Sequence, residues 1–225
     1  MGATMCNRVV QVKEGVVGAS LMAVALVTPF LRSRRTTWGA STEEVSEPLP
    51  GDHIIEQPRW QYTQAITVNA TPDRVWPWLV QLGQGRGGFY SYEMLENLVG
   101  CNIHNADRII PECQHLEAGD SLMLHPKVPF PVVQVLPGRA IVLHYDTRTG
   151  QMPVPDTKAA GYFESTWLFF LEAGESQKSR LISRFRIDYS QSVLNRISYG
   201  YLVEPISTTM QKQMLKGIKK RAEAI

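Results

Sequence analysis

The residues whose types could support chemistry are concentrated between positions 83 and 115. Arg86 stands among four glycines in the stretch GQGRGGFYSY, and its planar guanidinium could hold a carboxylate or an enolate oxygen. The glycines would let the backbone approach a ligand closely. An ion pair with Glu93, Glu96 or Asp107 that holds the loop in place accounts for the same arginine without a ligand. The sequence leaves both interpretations open.

Two tyrosines and a histidine–aspartate pair follow the arginine. Tyr90 and Tyr92 combine an aromatic ring with a hydroxyl group, which suits the wall of a half-polar cavity, but packing of a helix on a sheet explains them equally well. His104 lies three residues before Asp107, so the pair could act in general-base catalysis. A structural, hydrogen-bonded role fits the pair as well. His104, Asp107 and Tyr92 are therefore candidate catalytic residues without a catalytic motif.

Neither a metal nor a cofactor is predicted. The spacing of His104, Asp107 and His115 matches no familiar set of ligands, and three cysteines without a CxxC pair indicate neither a zinc cluster nor a disulfide framework. The glycine stretch fits G-x-G-x-x-G, but a capped helix precedes it, whereas a dinucleotide-binding loop follows a strand. The formal net charge of +2 does not indicate nucleic acid as a partner.

The elements around these residues indicate an α+β domain. Aromatic and β-branched residues predict a first strand over Trp60–Val68. Thr71 as N-cap, followed by Pro72 and an acid, predicts the start of a helix. Further strands are predicted over 120–124, 132–136, 140–145, 162–172 and 180–189, with a second short helix over 91–99 and an amphipathic C-terminal helix over 206–225.

The N-terminal segment 1–35 contains an apolar stretch, residues 15–31, without a charged side chain. A helix of this length spans roughly 25 Å, near the lower limit for a bilayer core of ~30 Å. Three arginines follow the stretch, so the positive-inside rule favours a membrane-associated protein with its main domain in the cytoplasm. We therefore predict a single-span anchor, with a buried core helix as the alternative. Residues 36–58 are predicted to form a connector, in which Ser41 and Glu44 suggest a capping box.

Several segments resemble one family. The opening ITVNATPDRVWPWLV is similar to the first strand and helix of the START-like (SRPBCC, polyketide-cyclase/dehydrase type) superfamily. The blocks WGASTEEV, LPGD, VQLGQGRGGFYSYEMLENLVG, IHNADRIIPECQ, LEAGD and MLKGIKKRAE resemble one bacterial branch of it. The resemblance covers about residues 38–224, and the glycine–aromatic block is its most specific part. The membrane-like N-terminus lies outside it.

The resemblance implies a helix-grip fold over residues 59–225, in which a curved antiparallel sheet wraps around the long C-terminal helix and an internal cavity. Such cavities commonly hold sterols, lipids or polyketides. The candidate ligand-binding residues are then Trp76, Arg86, Tyr90, Tyr92, His104, Trp167 and Phe185.

The function predicted from the sequence is a membrane-tethered protein that binds an apolar small molecule. One alternative is a cyclase, dehydratase or hydrolase that uses Arg86, His104, Asp107 and a tyrosine. The other is a structural or interaction module with a filled interior. A fold alone does not decide among these functions.

Overall fold

An antiparallel sheet and one long helix form the framework of the protein. The computed structural model describes residues 2–149, 161–192, 195 and 197–224. Its strands are β1 (Trp60–Val68), β2 (Ser121–His125), β3 (Val128–Leu136), β4 (Ala140–Asp146), β5 (Phe163–Ala173) and β6 (Ser179–Tyr189). Its α-helices are α1 (Gly2–Val27), α2 (Arg32–Thr36), α3 (Thr42–Ser46), α4 (Pro72–Val80), α5 (Glu93–Leu98) and α6 (Glu204–Glu223). A π-helical turn, Ser198–Val203, leads into α6.

The strands form one curved sheet in the order β1-β6-β5-β4-β3-β2, and every neighbouring pair is antiparallel. Strands β2 to β6 follow one another as hairpin neighbours, while β1 lies beside β6 at the other end of the sheet. From β1 onward, the α-helices and strands follow in the order one strand, two short helices, five strands and a long helix. The predicted α+β helix-grip fold is therefore confirmed.

The concave face of the sheet packs on α6 and α4. Alternate residues of each strand point to this face because side chains alternate along a strand. The core is formed by apolar residues that include Leu143, Phe169, Leu171 and Leu181 from the sheet, Met214, Leu215 and Ile218 from α6, and Leu79 from α4. Full burial of each such side chain is worth about 1.5–3 kcal/mol, so this contact fixes α6 along the sheet.

The opposite face of the sheet is covered by residues 40–58, which we call the strap. Leu49 of the strap packs with Val142 and Phe170. Arg184 projects from β6 towards the strap and is only 2% exposed. Its guanidinium is bonded to the carboxylate of Asp52 and to the carbonyl oxygens of Glu44, Val45 and Glu47. The predicted connector is thus packed against the sheet.

The helix starts test the capping predictions. Ser41 and Glu44 form the expected capping box, with the backbone N–H of each bonded to the side chain of the other at 2.7 and 3.2 Å. Thr71 is the N-cap residue of α4 and Pro72 is its first helical residue, as predicted, although the Thr71 side chain makes no capping hydrogen bond. The helix predicted from residue 91 starts at Glu93 instead, because its N-cap residue Tyr92 has a ψ of 81°, outside the helical region.

Helix α1 lies on the surface of the domain against α5 and α6. Its inner face carries small residues: a Cβ added at Gly15 would lie 2.1 Å from Met94 Cε, and one at Gly18 would lie 2.9 Å from Leu95 Cδ1. Its window Val10–Val27 has a mean hydropathy of 1.5, and only 17% of it is buried. The alternative of a buried core helix therefore does not describe α1. The outer face exposes Val10, Val12, Val16, Val17, Leu21, Val24, Leu26 and Val27.

Candidate functional site

Two cavities of ligand size lie beside the C-terminal end of α1. The first, called the end cavity, has a volume of about 910 Å³ and lies at the end of the sheet where β1 begins and β6 finishes. The second, called the side cavity, has a volume of about 530 Å³ and lies between α1 and α6. Both volumes fall in the range of ~300–1,000 Å³ that is usual for small-molecule sites. Ala25 lines both cavities.

Aromatic residues form the sheet-side wall of the end cavity. Trp60, the first residue of β1, and Tyr189, the last residue of β6, both line it. The indole of Trp60 stacks on Tyr62 at 5.8 Å and on Phe185 at 6.2 Å between ring centroids. This stacking fixes the orientation of the indole, so the wall is preformed.

Charged residues form the opposite wall of the end cavity. Glu204, at the start of α6, is 1% exposed, and its Oε2 lies 3.1 Å from Arg32 Nε. Its Oε1 lies 3.5 Å from Arg35 Nη2. Burial raises the pKa of Glu204, although both arginines oppose that change. Arg59 also lines the cavity, and its Nε lies 3.2 Å from Asp188 Oδ1.

The side cavity has a mainly apolar wall with two lysines at its edge. Leu21 and Val24 of α1 line it together with Trp38, which precedes the strap. Lys212 of α6 places its ammonium 4.8 Å from the centre of the Trp38 ring, in a cation–π geometry. Burial and the charge of neighbouring Lys216 lower the pKa of Lys212.

Arg86 has a structural set of partners. Its Nη2 donates to the carbonyl oxygens of Val80, Cys113 and His115 at 3.0, 2.7 and 3.1 Å. It thereby satisfies an otherwise unpaired carbonyl at the end of α4 and joins that helix to the segment after residue 110. The expected ion pair with Glu93, Glu96 or Asp107 is wrong, because backbone carbonyls take that place.

The two tyrosines have different surroundings. Tyr90 is a core residue whose hydroxyl accepts a hydrogen bond from Gln81 Nε2 at 2.8 Å, and burial raises its pKa to about 12. Tyr92 lines the side cavity and contacts α1 at Gly18. Both tyrosines and Asp107 also line a third, more polar cavity of about 350 Å³ between α1 and α6.

His104 and Asp107 face solvent instead of a common reaction centre. The side chain of His104 is 78% exposed, and its Nδ1 lies 3.6 Å from Glu93 Oε1. The side chain of Asp107 is 93% exposed and accepts from Arg221 Nη2 at 3.1 Å. Among the described residues, neither forms a hydrogen bond or an ion pair with Arg86, whose partners are backbone carbonyls. The arrangement that the enzyme alternative requires is therefore not assembled here.

The remaining candidates pack on the concave side of the sheet. Trp167 donates from Nε1 to Gln211 Oε1 at 2.9 Å, and its ring meets Phe185 edge-on at 6.0 Å. Phe185 also stacks on Tyr62 at 5.4 Å. Trp76 is partly buried against the main core. These contacts place the three residues in packed aromatic surroundings.

One group of potential metal ligands lies elsewhere on the sheet. His144, Asp146 and Glu164 hold their ligand atoms within 4.8 Å of one another. His144 Nε2 is hydrogen-bonded to Glu164 Oε1 at 2.9 Å. The guanidinium of Arg148 pairs with both carboxylates. This arginine supplies the counter-charge that a bound cation would otherwise provide.

Sequence reasoning missed the end cavity. Its residues come from three distant parts of the chain, and in the sequence Arg32 and Arg35 resemble the charged flank of a membrane segment. A usable signal was Glu204, a single acid between the apolar stretches YLV and PI. An acid in such surroundings is rarely buried without a partner.

Comparison with known proteins concerns the fold. No family model matches the chain, and no curated protein matches it. A solved hypothetical protein from Helicobacter pylori is 11% identical, covers 80% of this chain and 98% of its own, and has a TM-score of 0.47. A START superfamily protein from Mycobacterium smegmatis is 9% identical, covers 73% of this chain and 97% of its own, and has a TM-score of 0.33.

A Polyketide_cyc-like protein from Corynebacterium glutamicum is 11% identical over 73% of this chain and 87% of its own, with a TM-score of 0.29. Likenesses at this level carry no argument. The helix-grip architecture follows from the order of the strands and from the packing of α6 on the sheet.

Proposed function

We propose that this chain is a membrane-tethered binding protein whose helix-grip domain holds an apolar small molecule. The observation that supports this most strongly is the end cavity of about 910 Å³, which has Ala25 and Leu26 of the apolar helix on one side and Trp60 and Tyr189 on the other. A cavity with apolar and aromatic walls and a few polar groups is the usual form of a small-molecule site. Its position beside α1 suits a ligand that partitions into lipid.

The proposed tether is α1. Its outer face exposes a continuous set of valine and leucine side chains, and soluble proteins rarely leave so large an apolar surface in water. Arg32, Arg34 and Arg35 follow it directly and suit the anionic headgroups of a cytoplasmic leaflet. We propose that lipid covers this face and that the main domain lies in the cytoplasm.

The tether is tested with the full chain expressed in cells. The proposal expects the protein to sediment with the membranes. A Cys101→Ser, Cys113→Ser variant leaves Cys6 as the single thiol. Because α1 is docked on α5 and α6, it lies along the inner leaflet and does not cross it, so a membrane-impermeant maleimide added outside intact cells is expected to leave Cys6 unlabelled. Recovery in the soluble fraction contradicts the tether. Labelling of Cys6 from outside contradicts the docked position of α1.

Ligand binding is tested by calorimetric titration of the full chain, in an uncharged maltoside detergent, with 1-decanol as a neutral apolar probe. Heats from empty micelles are subtracted. Ala25→Phe places a large ring at the wall shared by both cavities, so binding is expected to fall at least tenfold. Ala23→Phe, on the exposed outer face of the same helix, is the matched control and is expected to bind normally. Absence of binding to the wild-type chain contradicts the proposal.

A further inference from the structure

Basic side chains without acidic partners are concentrated at the side cavity. None of the described residues that line it is acidic, whereas four are basic: Arg34, Arg35, Lys212 and Lys216. Arg35 is paired with Glu204, which lies outside this lining. Among the residues that the structure describes, Arg34, Lys212 and Lys216 form no ion pair with an acid. The side cavity therefore carries a positive charge that the chain itself does not compensate.

The two lysines of the cavity share one aromatic ring. The ammonium nitrogens of Lys212 and Lys216 lie 4.8 and 5.7 Å from the centre of the Trp38 ring. The face of the ring attracts each ammonium, but it has no net charge that would neutralise them. Burial and, to a lesser extent, the charge of Lys216 lower the pKa of Lys212. An anion between the two ammonium groups would relieve their repulsion.

These charged groups are accessible to a solute. Lys216 and Arg34 are exposed, and Lys212 is half-buried. A lysine ammonium offers three donors and no acceptor, so a group that binds both lysines must present acceptor atoms. An oxyanion would receive charge-assisted hydrogen bonds, which are stronger than neutral ones.

The apolar wall of the side cavity continues onto the outer face of α1. Leu21 and Val24 line the cavity, yet they are also 47% and 53% exposed. The apolar surface therefore extends from the face that we propose to be covered by lipid to the cavity that contains the lysines. A ligand in this position would contact hydrocarbon side chains at one end and cations at the other.

We propose that the side cavity binds an anionic amphiphile, with its carboxylate or phosphate ester head between Lys212 and Lys216 and its apolar chain along Leu21 and Val24. The lysine ammonium groups donate to the oxyanion, and the side chains of α1 contact the chain. This inference goes beyond the proposed function, because it assigns a second site and a ligand with a charged head, and it does not depend on the end cavity. A neutral ligand would leave the charge of the side cavity uncompensated.

The test compares four probes by calorimetric titration of the full chain in the same uncharged detergent, so that no lipid anion competes. Decanoate, decyl phosphate and 1-decanol share a ten-carbon chain and differ in the head, while inorganic phosphate supplies an anion without a chain. At least one ten-carbon anion is expected to bind about tenfold or more tightly than 1-decanol, because it alone forms charge-assisted hydrogen bonds. It is also expected to bind at least about tenfold more tightly than inorganic phosphate, because its chain is removed from water.

Variants locate the effect. Lys212→Gln with Lys216→Gln removes both ammonium groups, so the affinity for the preferred anion is expected to fall at least about tenfold, while that for uncharged 1-decanol stays within about twofold. Lys127→Gln with Lys178→Gln removes the same charge from exposed lysines in the β2–β3 and β5–β6 turns. This matched control is expected to leave both affinities unchanged, and it accounts for a general attraction between the chain and micelles that contain the anion. Lys212→Arg with Lys216→Arg keeps the charge and is expected to retain the preference for anions. Thermal unfolding of each variant establishes that it is folded.

The outcomes separate this inference from the proposed function. Equal affinities for 1-decanol and the ten-carbon anions would overturn the anionic site and leave the binding of an apolar ligand intact. A preference for anions that both lysine-to-glutamine pairs reduce equally would also overturn it, because the attraction would then come from the net charge. Inorganic phosphate that binds as tightly as decyl phosphate would overturn the amphiphile. If an anion binds through Lys212 and Lys216 while 1-decanol does not bind, the proposed function is refuted and this inference is supported.

Discussion

Glu96 in α5 is an acid in surroundings that disfavour its charge. It is 9% exposed, and its Oε2 has no hydrogen-bond partner among the described residues. The pKa of Glu96 is raised from an ordinary value of 4.5 to about 7. Burial is the main cause, and the nearby negative charge of Glu93 is a lesser one. Replacing it with glutamine keeps the size of the side chain and removes the ionisation.

The size of the effect follows from linkage between protonation and folding. The folded-state pKa lies above the unfolded-state value, so the stability that the protonated acid contributes is fully present below about pH 4.5 and is lost as the pH rises through 7. At about 1.4 kcal/mol per pH unit, the loss amounts to roughly 3 kcal/mol. Between pH 5 and pH 8, the advantage of Glu96→Gln over the wild-type chain is expected to grow by about 2–3 kcal/mol.

The assay is urea unfolding of the full chain in an uncharged detergent, followed by circular dichroism at pH 5 and pH 8. Glu175→Gln removes a charge from an exposed side chain between β5 and β6, and its effect on the free energy of unfolding is expected to be nearly the same at both pH values. If Glu96→Gln also differs from the wild type by the same amount at both, the reasoning about its buried charge is refuted.

Three further predictions concern packing. Arg184→Met removes the buried guanidinium that holds the strap and takes one positive partner from the Asp52 carboxylate. Urea unfolding should therefore show that the free energy of unfolding falls by about 3 kcal/mol. A fall of less than about 1 kcal/mol would contradict this role. Arg86→Gln removes three hydrogen bonds to carbonyl oxygens, so the free energy of unfolding should fall by about 2 kcal/mol, while the binding of 1-decanol should stay unchanged. Weaker binding of 1-decanol at unchanged stability would instead make Arg86 a ligand-binding residue. In Gly18→Leu the new side chain would collide with Tyr92 and displace α1 from α5. Amide hydrogen exchange in α5 should therefore become faster than in the wild type. An unchanged exchange rate would contradict the docking of α1 on α5.

The framework of the fold could be predicted because strands and their faces leave a regular pattern. In β6, Leu181, Ser183 and Phe185 alternate with Arg180 and other charged residues, and side chains alternate between the two faces of a strand. The predicted bounds of β1 agree with the observed ones. The resemblance to a family supplied the topology, which periodicity alone does not give.

Partners made by the backbone could not be predicted in the same way. Arg86 stands beside acids in the sequence, yet it bonds to three carbonyl oxygens. Every residue carries a carbonyl, so no residue type marks those that Arg86 reaches. The arginines of β6 likewise suggest a solvated face, whereas Arg184 is buried by the strap.

The end cavity depends on contacts between distant residues. Arg35, Trp60 and Glu204 are separated by 25 and 144 positions in the chain. Each has a simple local explanation: a membrane flank for Arg35, a strand residue for Trp60 and a helix start for Glu204. The docking of α2 on β1 and α6 brings them together.

Native mass spectrometry of the full chain, released gently from the membrane in which it was expressed, tests the central claim most directly. The account predicts one small molecule per wild-type chain, lost in Ala25→Phe and retained in Ala23→Phe. A wild-type chain whose mass equals that of its sequence alone, and which gains no mass on addition of decanoate, decyl phosphate or 1-decanol, would contradict a ligand-binding function.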